Sequence, residues 1–217
     1  MKNIIYILVF MFSINVTAQR MRPFIGGTAY LHTDFERSSF VNFSLGSEIK
    51  VIKFFSPEIE VSYMFGTLQE VVIRDEKGLT MSISKKSSSA INYSFCPKII
   101  IGDYEEDSAY LQILPRYTFS RIEAKREFAS RNPIDLSKPI FITEKTSNTQ
   151  HSLGIGVGYL YNFSGEYSNS LALNLYYNGV NLGKALNKLN SGSYSYGTQD
   201  VMGLGINFYF GLKKEKE

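Results

Sequence analysis

Residues 201–212 read Val-Met-Gly-Leu-Gly-Ile-Asn-Phe-Tyr-Phe-Gly-Leu. Met202, Leu204, Ile206, Phe208, Phe210 and Leu212 fall on one side of an extended chain, and Gly203, Gly205, Asn207, Tyr209 and Gly211 on the other. A β-strand repeats every two residues, so this is a ribbon with one apolar side and one thin, mostly polar side. The same division recurs along the chain. It predicts strands over about 23–31, 39–51, 58–72, 90–101, 109–121, 149–163, 171–177 and 201–212.

Eight strands is an even number, and the predicted connections alternate in length. Those at 53–57, 102–108 and 164–170 are short, whereas those at 74–89, 122–148 and 178–200 are long; only the one at 32–38 is modest where a long one is expected. An up-and-down meander sends odd and even connections to opposite ends, so the long ones collect at one end. Transmembrane barrels have that asymmetry. No stretch after residue 14 reaches the roughly 18 apolar residues of a membrane helix, so any insertion is by strands. Pro97 and Pro115 each remove a ladder donor from adjacent predicted strands and are expected at bulges or rim positions.

Alternation also fits a soluble lipid-carrying barrel with its apolar face inward. The polar face decides between the two. It is mostly Gly, Ser, Asn and Thr, with a few charges of both signs: Glu48, Lys50, Glu60, Lys98 and Arg116. Small residues suit a narrow interior, and mixed charges pair there; a soluble exterior calls for many more Lys and Glu. The apolar face of the eight predicted strands carries no Asp, Glu, Lys or Arg short of Arg121 at the very end of the fifth, as a lipid face requires, since Lys or Arg at the midplane costs roughly 2–4 kcal/mol. Tyr and Phe number 15 and 16, with no Trp, and recur near strand ends as interfacial girdles do. In hydrocarbon an open sheet edge is untenable, so the first and last strands must pair.

The N-terminus reads as a secretory signal peptide over 1–18: Met1-Lys2-Asn3, the apolar run Ile4 to Ile14, and Val16-Thr17-Ala18 before cleavage. The barrel is expected over 19–212 and a charged tail over 213–217. Cys96 is the single cysteine, so no disulfide forms within the chain. A net charge of +3 is too balanced to point to nucleic acid.

These features resemble the outer-membrane β-barrel domain family of Gram-negative bacteria, the small eight-stranded OmpA- and OmpX-like barrels. The most specific piece is Gly205-Ile206-Asn207-Phe208-Tyr209-Phe210. It is similar to the glycine-x-x-aromatic-x-aromatic core of the C-terminal signal read by the family's assembly machinery, carried here by Gly205, Phe208 and Phe210. Two departures stand out: Gly203 occupies a position that is usually polar, and Gly-Leu-Lys-Lys-Glu-Lys-Glu follows the last aromatic. The resemblance implies an integral outer-membrane protein with a closed lumen and a structural or surface-interaction role. Its implied partners are outer-membrane lipid or lipopolysaccharide, the barrel-assembly machinery and an envelope protein. Two other roles stay open: a barrel subunit of an envelope secretion or assembly machine, and a secreted soluble lipid-binding barrel.

Chemistry-bearing residues are sparse, and neither a catalytic set, a cofactor nor a metal site is expected. The alternative is a lipid-modifying barrel enzyme using His151-Ser152 or His32 with Asp34 and Glu36. Adjacent strand residues face opposite ways, which separates His151 from Ser152. Asp103, Glu105, Glu106 and Asp107 lack the glycine and spacing of a calcium loop. Gly154, Gly156 and Gly158 lie two apart in a strand, which suits packing rather than phosphate binding. Leu182, Ala185, Leu186 and Leu189 predict a short amphipathic helix over 181–190, lying on a membrane surface. The 122–148 connection carries Arg121, Lys125, Arg126, Arg131, Lys138 and Lys145, a cation excess suited to lipopolysaccharide phosphates.

Overall fold

Each amphipathic ribbon needs a hydrogen-bonding neighbour on both edges, and closure into a ring provides them. A computed structural model describes residues 21–102, 108–132, 138–163, 169–189 and 195–211. The expected signal peptide, the acidic turn at Asp103–Asp107 and the charged tail lie outside these residues. The strands are β1 (Met21–Leu31), β2 (Ser39–Ile49), β3 (Glu58–Thr67), β4 (Val71–Arg74), β5 (Thr80–Cys96), β6 (Ile99–Ile101), β7 (Ala109–Ser130), β8 (Ile140–Asn162), β9 (Ser170–Asn178) and β10 (Val201–Tyr209).

Eight of them form the ring β1–β2–β3–β5–β7–β8–β9–β10, every pair antiparallel. The seam is β1 against β10, from Phe24 opposite Tyr209 to Tyr30 opposite Gly203. β6 continues β5 after a break at Pro97. Phe95 faces Tyr117 and Ile99 faces Ile113, so the register does not slip across the break. That register brings Pro97 opposite Pro115, and both missing donors fall on one rung. Pro115 keeps its place in β7, opposite Ile155 of β8.

Two predicted connections are strands instead. Residues 80–89 belong to β5, and the 122–148 connection is the far end of a β7–β8 hairpin whose strands run 22 and 23 residues. A tilted membrane-crossing strand needs about 9–11, so this hairpin projects well beyond the ring. The predicted strand 58–72 stops at Thr67, and β4 separately lines the edge of the projection against β5.

Side chains alternate sharply between inside and outside. In β3 the buried residues are Glu58, Glu60, Ser62 and Met64, while Ile59, Val61, Tyr63 and Phe65 are exposed. The same inversion holds in β10, where Leu204 and Ile206 are exposed and Asn207 and Tyr209 buried. Apolar side chains therefore cover the outer wall, the reverse of a soluble lipid carrier and the construction of a transmembrane barrel. Aromatic rings gather at two heights on that wall. Phe163, Phe208 and Phe210 contact one another near the short-turn end. Phe43, Tyr63 and Phe65 do so toward the other end, with Tyr93, Tyr117, Phe119 and His151 further round the ring.

Helix α1 (Gly183–Leu186) and the 3-10 turn Asn187–Leu189 confirm helical conformation in 181–190. Its position corrects the expectation. Leu182, Ala185 and Leu186 are fully buried inside the barrel mouth, packed in one cluster with Ala90, Ile122, Ala124 and Val180. At this height the inner wall becomes apolar, and the helix finds its greasy partner there rather than in a membrane surface.

Candidate functional site

Among the described residues, inward-facing side chains form three layers in the lumen. At the short-turn end lies an ionic knot. The Arg22 guanidinium donates to Glu48 through Nε at 3.1 Å and Nη2 at 2.7 Å, and through Nη1 to Ser170 Oγ at 2.9 Å. The Lys98 ammonium bridges Glu48 and Glu58, the latter at 2.6 Å. Tyr209 O–H donates to Glu58 at 2.7 Å, and its ring lies under both cations. Arg22, Glu48, Glu58 and Lys98 are all essentially inaccessible. These contacts run from β1 to β9 and from β10 to β3, so they tie together strands that are not neighbours.

The middle layer is polar. Arg116 donates to Glu60 at 3.0 Å and to Tyr176 O–H at 3.4 Å, with its guanidinium over the Tyr176 ring. Gln112 bonds Asn174 at 2.8 Å, and Ser94 bonds Thr118 at 2.9 Å. A chamber of about 30 Å³ remains, bordered by Asn42, Asn92, Arg116 and Ser152. That is room for a water or two and no solute.

The third layer is the α1 mouth. Leu182 N–H donates to Thr198 Oγ1 at 2.7 Å, Asn181 N–H to Gln150 Oε1 at 3.1 Å, and Asn178 Nδ2 to the carbonyls of Val180 and Thr198, each at 2.8 Å. Gly179 is required here: a Cβ would lie 1.9 Å from the Leu153 carbonyl oxygen.

Of the charges expected in the lumen, Glu48, Glu60, Lys98 and Arg116 project inward, whereas Lys50 lies just past the end of β2 and is half-buried. Arg22 and Glu58 join them and were missed. Each is a strand-end residue, at or beyond the limit that period-two alternation defines. Gly205 packs where a Cβ would sit 2.6 Å from Thr28 Oγ1 and 2.8 Å from the Tyr176 ring. Phe208 and Phe210 point outward and meet edge to face at 5.0 Å.

Neither histidine adjoins a nucleophile. Asp34 N–H donates to His32 Nδ1 at 3.2 Å, which leaves Nε2–H to donate to the Gly197 carbonyl at 2.7 Å. His32 thus clips the β1–β2 connection to the β9–β10 connection. His151 lies on the outer wall against Tyr117 O–H at 2.6 Å, while Ser152 faces the lumen chamber. Among the described residues, no group of three or more His, Cys, Asp or Glu is placed to hold a metal ion.

The projection is a four-stranded sheet of β4, β5, β7 and β8. Val71, Ile73, Ile140 and Ile142 are exposed on one face, and Met81 and Phe141 on the other, Phe141 at 76 %. Ladder partners for β8 on its β9 side begin at Ile155. Residues 140–154 therefore present an edge that no described strand covers. The hydrogen bond and charge of Lys125 hold the Glu127 carboxyl below its usual range; burial, and then Arg126, push the Lys86 ammonium down.

No family model matches the chain, and no curated protein does. Among solved structures it is similar to Neisserial surface protein A, at 9% identity over 89% of this chain and 96% of that one, TM-score 0.40. It is similar to Ail of Yersinia pestis, in complex with the heparin analogue sucrose octasulfate, at 11% identity over 88% and 96%, TM-score 0.41. The N-terminal β-barrel domain of Pseudomonas aeruginosa OprF aligns at 13% identity over 88% and 98%, TM-score 0.31.

Proposed function

We propose that this chain is a small integral barrel of the Gram-negative outer membrane, of the OmpA- and OmpX-like kind, with a closed lumen and a surface-interaction role. One observation carries the membrane assignment: in the band between the two aromatic levels the apolar side chains face out and the charged ones face in. Such a wall is compatible with hydrocarbon and not with water. The three layers argue against solute passage. The projecting sheet argues for recognition, because an exposed edge flanked by Ile140, Phe141 and Ile142 offers backbone pairing and side-chain contact to an extended segment of a surface partner. The short-turn end then faces the periplasm, and Gly205, Phe208 and Phe210 lie where the assembly machinery would read them.

The test has four readouts on the full chain. It should sediment with outer membranes, and its gel mobility should change on heating. In planar bilayers it should give no steady solute-sized conductance. A double substitution on the tip, Phe141→Lys with Ile142→Thr, should leave mobility unchanged while abolishing capture of envelope or host-surface protein. A soluble, heat-insensitive band would overturn the location, and a stable wide conductance would overturn the closed lumen.

A further inference from the structure

We infer that the outer wall of β3, β5, β7 and β8 carries a site for a single phosphorylated lipid, its phosphate between Lys125 and Lys145 and an acyl chain in the apolar groove below. The inference rests on the reading of this wall as lipid-facing. Two grooves lie one above the other there. The lower, about 720 Å³, runs between Ile59, Val61, Tyr93, Phe95, Tyr117 and Phe119 and is almost wholly apolar. The upper, about 590 Å³, begins one outward residue further along β3, at Tyr63, and is bordered by Ser87, Ser89, Lys125, Lys145, Ser147 and Glu123. Girdle rings line both, Tyr93, Tyr117 and Phe119 the lower groove and Tyr63 and Phe65 the upper, so the lower groove opens toward acyl depth and the upper toward headgroup depth.

The upper groove is built for an anion. The registers set Ser87 opposite Lys125 and Lys125 opposite Lys145, so one rung across three strands presents a hydroxyl and two ammonium groups. Like charges directly opposite one another are destabilising unless something lies between them. The neighbouring carboxylates fill that role only in part. Glu123 is engaged by Arg121 at 3.4 Å and Lys125 shares its charge with Glu127, while Lys145 has no carboxylate partner among the described residues. A phosphate between the two ammoniums makes charge-assisted hydrogen bonds to both and collects Ser87. Because the adjoining groove takes hydrocarbon, the occupant is an amphiphile, not free phosphate.

The test uses the full chain refolded in neutral dodecyl maltoside, with three probes followed by native mass spectrometry: a diacyl phosphatidic acid, the matching diacylglycerol, and glycerol 3-phosphate. One phosphatidic acid should be retained per chain, and the other two retained weakly or not at all. Lys145→Gln should weaken retention about tenfold, the loss of one charge-assisted contact. Val61→Trp, which fills the lower groove, should also weaken it, with heat-dependent mobility kept in both variants. Equal retention of diacylglycerol overturns the headgroup site, and equal retention of glycerol 3-phosphate overturns the lipid. A chain soluble without detergent overturns the membrane reading and this site together. A heat-modifiable chain with no preference among probes overturns this site alone.

Discussion

At the scale of single residues, the ionic knot carries the largest stake. Buried ion pairs add little net stability, because desolvation offsets attraction, but removing one partner strands the other's charge. Lys98 bridges two carboxylates with Arg22 serving only one of them. Lys98→Met should therefore lower folding stability by about 3–5 kcal/mol, read as a drop in the urea midpoint for refolding into micelles. Adding Glu58→Gln should restore part of that loss by removing a stranded charge. An unchanged midpoint for Lys98→Met would mean the knot is not formed. Half of the knot's charges were legible in the sequence, since Glu48 and Lys98 interrupt thin faces of Ser, Gly and Asn. Arg22 and Glu58 were not, because they sit where strands begin, and alternation needs residues on both sides to be read.

At the scale of elements, the strands inside the membrane band were legible and the projection was not. Val41, Phe43 and Leu45 alternate with Asn42, Ser44 and Gly46 because one side meets lipid and the other the lumen. Beyond the girdle and the mouth both faces of β5, β7 and β8 meet water, so Lys85 and Lys86 keep strand geometry with no apolar side to mark it. That stretch looks like a loop for a physical reason. The 181–190 helix shows the converse: its spacing was readable, its partner was not. Ala90, Ile122 and Ala124 are scattered over two strands, and only folding brings them to one height in the mouth. Leu186→Ala should destabilise the mouth by about 2–5 kcal/mol. The connection between β9 and β10 should then become cleavable by protease while the heat-dependent mobility persists. Equal protease resistance of wild type and variant would place α1 outside the packing.

At the scale of the whole molecule, the claim is that the ring is turned inside out relative to a soluble protein. Depth then matters more than burial for a substitution on the wall. Ile155 lies amid the apolar run of β8, half exposed to whatever surrounds the barrel, and Ser147 lies above the girdle on the same face of the same strand. Ile155→Lys should cost roughly 2–4 kcal/mol on insertion into vesicles and Ser147→Lys close to nothing, the dependence on depth known for charged residues on lipid-facing walls. Equal costs, measured by urea titration of vesicle-bound chain, would mean that no hydrocarbon slab surrounds the wall.

The pairing of Phe24 with Tyr209 also sets an order of manufacture. The earliest-made ribbon has its only permanent neighbour, on one side, in the latest-made one. A chain still emerging from a ribosome has nothing to lock against, and a chain clipped anywhere in between never acquires it. The ring therefore locks only once its final ribbon has been made.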